Sequence, residues 1–154
     1  MKSHNKAIFT IISSLFVSGC IHLTAETKMG NNKNPAIYFE IPVKDMQRAK
    51  AFYEAVFAYD FVSDNIHGNE MAFLPFEEAA KGISGALAKG KSYKPSHDGS
   101  LIYLNVDDIS KVIALAIKHG GKKLFPLKQA NEYGFVAEIE DSEGNRIGLF
   151  ESTK

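Results

Sequence analysis

One strand, one helix and three further strands occur in that order twice along this chain, and the duplication leaves few architectures open. Residues 36–43 (AIYFEIPV) alternate in character as a half-buried strand does, and Asp45 then stands as a helix N-cap before MQRAKAFYEAVF. Met46, Ala49, Tyr53 and Val56 fall on one stripe of that helix. Residues 101–106 (LIYLNV) repeat the strand, Asp108 repeats the cap, and Ile109, Val112, Ile113 and Ala116 repeat the stripe. Gly120 and Gly121 supply the stop. Strand-like pieces follow each helix, at 59–63, 71–76 and 82–88 in the first half and at 123–128, 134–140 and 146–151 in the second. Residues 35–89 therefore read as one βαβββ module and 100–152 as another, joined by a linker, 90–99, rich in Gly, Ser, Pro and Lys. Residues 141–145 (DSEGN) read as a hairpin turn in which Gly144 and Asn145 tolerate positive φ. The expected fold class is α+β.

The N-terminus reads as an address. Residues 1–6 carry two lysines and no acid, and 7–17 (AIFTIISSLFV) form an apolar run too short to cross a bilayer but suited to a signal-peptide core. The run ends in Val17-Ser18-Gly19-Cys20, which resembles the lipobox of bacterial lipoproteins. That resemblance makes 1–19 a lipoprotein signal peptide and Cys20 the acylated mature N-terminus. Cys20 is the only cysteine, so the chain has no internal disulfide to stabilise it. Residues 20–34 turn polar without periodicity and read as a flexible tether. Ile21 is not aspartate, which by the sorting rule of such lipoproteins implies the periplasmic side of the outer membrane if the source is Gram-negative.

Lysine plus arginine equals aspartate plus glutamate at 18 each. No net positive field exists to gather phosphate backbones, so nucleic acid is disfavoured as a partner.

Asp45 leading into Ala51-Phe52-Tyr53 and Val56-Phe57 is similar to the D-x-x-x-A-x-x-F-Y-x-x-x-F signature of vicinal-oxygen-chelate domains, the glyoxalase and bleomycin-resistance superfamily. The run Asp141-Ser142-Glu143-Gly144-Asn145-Arg146-Ile147 resembles that superfamily's closing D-x-x-G-N-x-I strand motif. The resemblance spans about residues 35–152 and implies a cupped mixed sheet around a cavity, with the helices on its outer face. Phe52 and Tyr53 read as core and Gly144-Asn145 as a turn, so both motifs carry fold rather than chemistry. The resemblance also implies that two copies of the chain pair.

Metal-dependent members of the superfamily hold a divalent ion with His and Glu side chains from the first and last strands of each module. Seven residues before the first capping aspartate stands Tyr38, and seven before the second stands Leu101. The slot four residues after the closing glycine is Gly148, and the fourth strand around 85–88 offers no ligand. Leucine and glycine have no donor side chain, so the usual ligand positions are lost and no metal or other cofactor is expected. A divalent ion would need an atypical site.

Period-two alternation places Tyr38, Glu40, Leu101, Tyr103, Asn105, Arg146 and Phe150 toward the cavity. Aromatic walls with a few polar groups suit a small-molecule ligand. Glu40 either contacts that ligand or pairs with a nearby cation such as Arg146. His67 in an Asn/Gly-rich loop and His97 in the linker could reach a pocket mouth, while His119 ends a helix. Two function classes stay open. One is a lipid-anchored protein that binds a small molecule without metal; the other is a lyase, isomerase or dioxygenase with an atypical metal site.

Overall fold

The computed structural model describes residues 36–153. The leader, Cys20 and the tether lie outside these residues. The first half forms β1 (Tyr38–Pro42), α1 (Met46–Phe57), β2 (Val62–Ile66), β3 (Asn69–Phe73) and β4 (Ser84–Lys89). The second forms β5 (Ile102–Asn105), α2 (Ile109–Lys118), β6 (Lys122–Ala130), β7 (Gly134–Glu140) and β8 (Arg146–Ser152). Two four-stranded sheets result, ordered β1-β4-β3-β2 and β5-β8-β7-β6. In each, the first strand runs parallel to the last and the remaining pairs are antiparallel. The duplicated βαβββ order is thus realised as two mixed sheets of the same topology.

Both helices begin at the expected aspartates. The Asp45 side chain accepts the Arg48 amide and that of Asp108 accepts the Lys111 amide, each replacing a bond that a first helical turn leaves unmade. Met46, Ala49, Phe52, Tyr53 and Val56 are buried on α1, and Ile109, Val112 and Ala116 on α2. Ile113 packs at the edge of the same core. The second helix stops where Gly120 takes φ +94°, and Gly121 donates its amide back to the Ala116 carbonyl at 2.8 Å.

Several strand bounds differ from the sequence-based expectation, each for a local reason. No strand begins at Tyr59, because its ring stacks on Phe57 at 5.3 Å and stays with the helix-side core. The strand expected to reach Phe76 ends at Phe73, and β4 opens at Ser84 rather than at position 82. Pro75 in the intervening loop has no amide to give a ladder, while the Ser84 hydroxyl donates to the Pro75 carbonyl at 2.9 Å. The edge strand β6 runs on to Ala130 although it contains Pro126, and its register shifts between Phe125 and Lys128 around that residue. Of the turn residues in 141–145, only Gly144 takes positive φ; Asn145 acts through its side chain.

That side chain belongs to a buried polar cluster joining the two modules. The Asp141 carboxylate accepts the Tyr53 hydroxyl at 2.9 Å, the Asn145 side-chain amide at 2.9 Å, and the backbone amides of Glu143 and Asn145, both at 2.8 Å. Asn145 also donates to the Pro42 carbonyl at 2.9 Å. Glu143, from the second module's hairpin, reaches the start of the first module's helix. There it accepts the amides of Lys44 and Asp45 at 2.9 and 3.0 Å and the Arg48 guanidinium at 2.7 and 3.0 Å. The two sequence motifs, ninety residues apart in the chain, are therefore the two halves of one structural clamp.

Candidate functional site

Each sheet has one face under a helix and one face turned away from it, which we call the open face. On β1 the alternation places Ile41 in the helix-side core, with Phe39 packed against it. Tyr38 and Glu40 lie on the open face, Tyr38 being 43% exposed. Glu40 is in register with Ala86 on β4, which is in register with Phe73 on β3. Met71, Ala86 and Ala88 are buried there in a small apolar cluster of their own, and Phe73 and Tyr93 pack against it.

Tyr93 comes from the inter-module linker. Its hydroxyl donates to Glu40 Oε2 at 2.7 Å. Glu40 is thus engaged by a phenol and not by Arg146, the cation named in one of the two roles left open for it. The hydrogen bond to Glu40 holds the Tyr93 phenol above its ordinary range, and burial with the Glu40 charge does the same for Tyr38. Tyr38 therefore keeps its proton more firmly than a free tyrosine. Tyr93 was not legible as a site residue, although it is the one aromatic in an otherwise polar linker, and that contrast was the available signal.

On the second open face, Tyr103, Gly148 and Glu138 stand in register across β5, β8 and β7, and Asn105, Phe150 and Val136 form the next row. Arg146 reaches diagonally to Glu138 in a two-pronged pair, with both contacts at 2.8 Å. That pair holds the Glu138 carboxyl below its ordinary range. Glu140 lies beside it, paired with Lys122 at 2.6 Å and with His97 Nε2 at 2.7 Å. His97 is accordingly fastened to the sheet. His67 is at the tip of the β2–β3 hairpin, where His67 and Gly68 both take positive φ, and His119 caps α2.

The seven residues expected to face the cavity do not share one, and Leu101 lines none of the clefts described next. Glu40 and Arg146 line a cleft of 380 Å³ between β1 and the start of β8, with Lys94, Ser96 and Asp98 of the linker at its rim. Tyr103 and Asn105 line a second, of 440 Å³, with Phe39, Tyr59 and Ile83. Tyr38 lines a third, of 320 Å³, with Ile37, Phe73 and Phe76. Phe150 lines none of these three. Lys94, Tyr59 and Phe76 were not anticipated, since Lys94 lies in the linker and the other two stand at the ends of expected strands that the structure leaves as loop.

The structure also tests the inherited metal positions. At Gly148 the place of a side chain is taken by the half-exposed Tyr103 ring, since a Cβ there would lie 2.6 Å from it and the ring would have to move. Its counterpart in the first module, Ala86, is fully buried in the cluster that Tyr93 packs against. The Tyr103 ring thus occupies one carboxylate slot, and the other lies in an apolar cluster against which Phe73 and Tyr93 pack. Tyr38 is the one potential donor left at the inherited positions, and among the described residues no three His, Cys, Asp or Glu side chains converge to hold a metal. These residues do not fit a divalent ion.

The model of the glyoxalase/bleomycin resistance protein/dioxygenase superfamily matches residues 36–149. The chain belongs to that superfamily. A glyoxylase-like domain-containing protein of Didymella fabae is 31% identical over 88 residues, covering 55% of this chain and 67% of that protein. Among solved structures, a glyoxalase family protein of Bacillus cereus aligns with a TM-score of 0.64 at 18% identity, over 82% of this chain and 99% of that one. An antibiotic-binding protein of Streptomyces sp. CB03234 aligns with a TM-score of 0.56 at 25% identity, over 79% and 98% of the two chains. The superfamily fold places the helices over one face of each sheet, which leaves the open faces described above as the surfaces available for chemistry.

Proposed function

We propose that this protein is a lipid-anchored, small-molecule-binding member of the superfamily that works without a metal. The observation that carries this reading is the state of the two carboxylate slots, Gly148 covered by the Tyr103 ring and Ala86 buried in the apolar cluster against which Phe73 and Tyr93 pack. A surface that has exchanged ligating groups for aromatic rings favours ring-on-ring and apolar contact over Lewis-acid chemistry. The likeness to an antibiotic-binding protein at 25% identity supports the same choice. Glu40 and Arg146, which share one cleft, are the proposed contacts, with Glu40 able to accept a hydrogen bond from the ligand.

Metal analysis of the purified protein after dialysis tests the reading. No stoichiometric zinc, nickel, manganese or iron should remain, and a glutathione hemithioacetal should not be turned over with any of them added. Should one ion per chain survive dialysis and disappear in Glu40→Gln, the enzymatic reading with an atypical metal site takes its place.

The anchor is tested separately, since Val17-Ser18-Gly19-Cys20 is its whole basis. Cells fed a clickable fatty acid should label the parent chain and not Cys20→Ala. Equal labelling of the two would remove the lipid anchor from the proposal and leave the binding function untouched.

A further inference from the structure

The first module's open face already holds an occupant, and that occupant is part of the chain. Gly90 abuts Asn69 so closely that a Cβ on Gly90 would collide with the Asn69 side chain, which fixes where the linker leaves β4. A turn follows, closed by the Tyr93 amide donating to the Gly90 carbonyl at 3.2 Å. It lays the Tyr93 ring against Met71, Ala86 and Ala88, while the hydroxyl donates to Glu40 at 2.7 Å. The two alanines are fully buried, and the Tyr93 and Phe73 rings pack against their cluster. Further along, Ser96 is bonded to Asn145 at 3.2 Å and His97 to Glu140 at 2.7 Å, so the linker is tied down on the far side as well.

We propose that the bed beneath Tyr93 is a binding site for a phenolic aromatic molecule, which displaces the Tyr93 ring and donates its own hydroxyl to Glu40. The inference rests on the small-molecule reading above and names its ligand class. An apolar bed with a single carboxylate acceptor matches a ring bearing one hydrogen-bond donor. It disfavours a ligand whose only polar group is an anion, which would face the Glu40 charge. Tyr93 competes from a short linker at an effective concentration of order millimolar, so its ring lowers the apparent affinity of any free ligand.

The test compares p-cresol and toluene as probes, with binding followed by NMR line shifts of the full chain carrying Cys20→Ala. Tyr93→Ala should bind p-cresol about tenfold more tightly than the parent. That variant should also prefer p-cresol to toluene by about tenfold, and Glu40→Ala added to it should abolish the preference. If Tyr93→Ala does not fold, Tyr93→Phe is read instead. It keeps the packing, loses the bond to Glu40, and should still strengthen p-cresol binding severalfold. Equal p-cresol affinity in parent and variant, or no preference over toluene in a folded variant, overturns the proposal. A stoichiometric metal found alongside the tenfold gain would overturn the metal-free reading and leave this site standing.

Discussion

Replacing Asp141 by alanine should cost about 3–5 kcal/mol of unfolding free energy, the range for stripping a buried charge of its role in a bonded cluster. The residue is 1% exposed and its two oxygens receive four donors: the Tyr53 hydroxyl, the Asn145 side chain, and the amides of Glu143 and Asn145. Alanine leaves all four without an acceptor in a space water does not reach. Tyr53→Phe removes a single donor and should cost far less, about 1 kcal/mol. Urea midpoints at constant slope give both numbers, and a loss below about 1 kcal/mol for Asp141→Ala would mean that the clamp is ornamental. The cluster also contributes to the acid limb of the stability profile, beside the paired Glu138 and Glu140. Burial works against the Glu143 charge, but Arg48 and the amides of Asp45 and Lys44 more than offset it, leaving the carboxyl below its ordinary 4.5. Its stabilisation is therefore complete above pH 4.5 and disappears as the pH falls through the lower folded value. Burial raises Asp141 above its ordinary 3.8, so its contribution has the opposite sign, being greatest below 3.8 and lost as the pH rises through the folded value. Glu143→Gln should accordingly flatten the fall in stability below pH 4.5.

Gly85→Ala should be the second most damaging change, at about 3 kcal/mol, the upper part of the usual range for overpacking. A Cβ at this position would run into the Phe39 backbone carbonyl and come within 2.7 Å of the Phe39 ring. Neither can give way cheaply, because Phe39 is paired in register with Gly85 and packs into the helix-side core. The substitution thus prises β1 from β4 and displaces Tyr38 and Glu40 with it. Gly148→Ala is the control. There the three atoms nearest the added methyl all belong to the ring of Tyr103, which is 48% exposed and has solvent to turn into, so the cost should be about 1 kcal/mol and should vanish with Tyr103→Ala. Similar losses for the two glycines would show that the tightness of the β1–β4 pairing has been overstated.

Repetition, caps and period-two alternation made the architecture legible in the sequence, because each depends on neighbours within a few positions. Asp45 and Asp108 could be recognised as caps, and the facing of Tyr38, Glu40, Tyr103 and Arg146 could be read, from local spacing alone. What stands opposite those side chains could not. Arg146 finds Glu138 through a diagonal across β7 and β8, and nothing in either strand by itself announces that register. Glu40 finds Tyr93 because a linker without periodicity doubles back over the sheet. Composition identified that stretch as a connector, and a connector's path is decided by the surfaces it crosses.

The clamp carries a consequence for the order of events in a chain delivered N-terminus first. The amides of Lys44 and Asp45 are satisfied by Glu143, 99 and 98 residues later, and Tyr53 by Asp141, 88 residues later. The first module therefore has a complete helix start only once the final hairpin has arrived. Until then the amides of Lys44 and Asp45 and the Tyr53 hydroxyl lack these partners, and the last stretch to emerge is the one that supplies the bonds joining both halves.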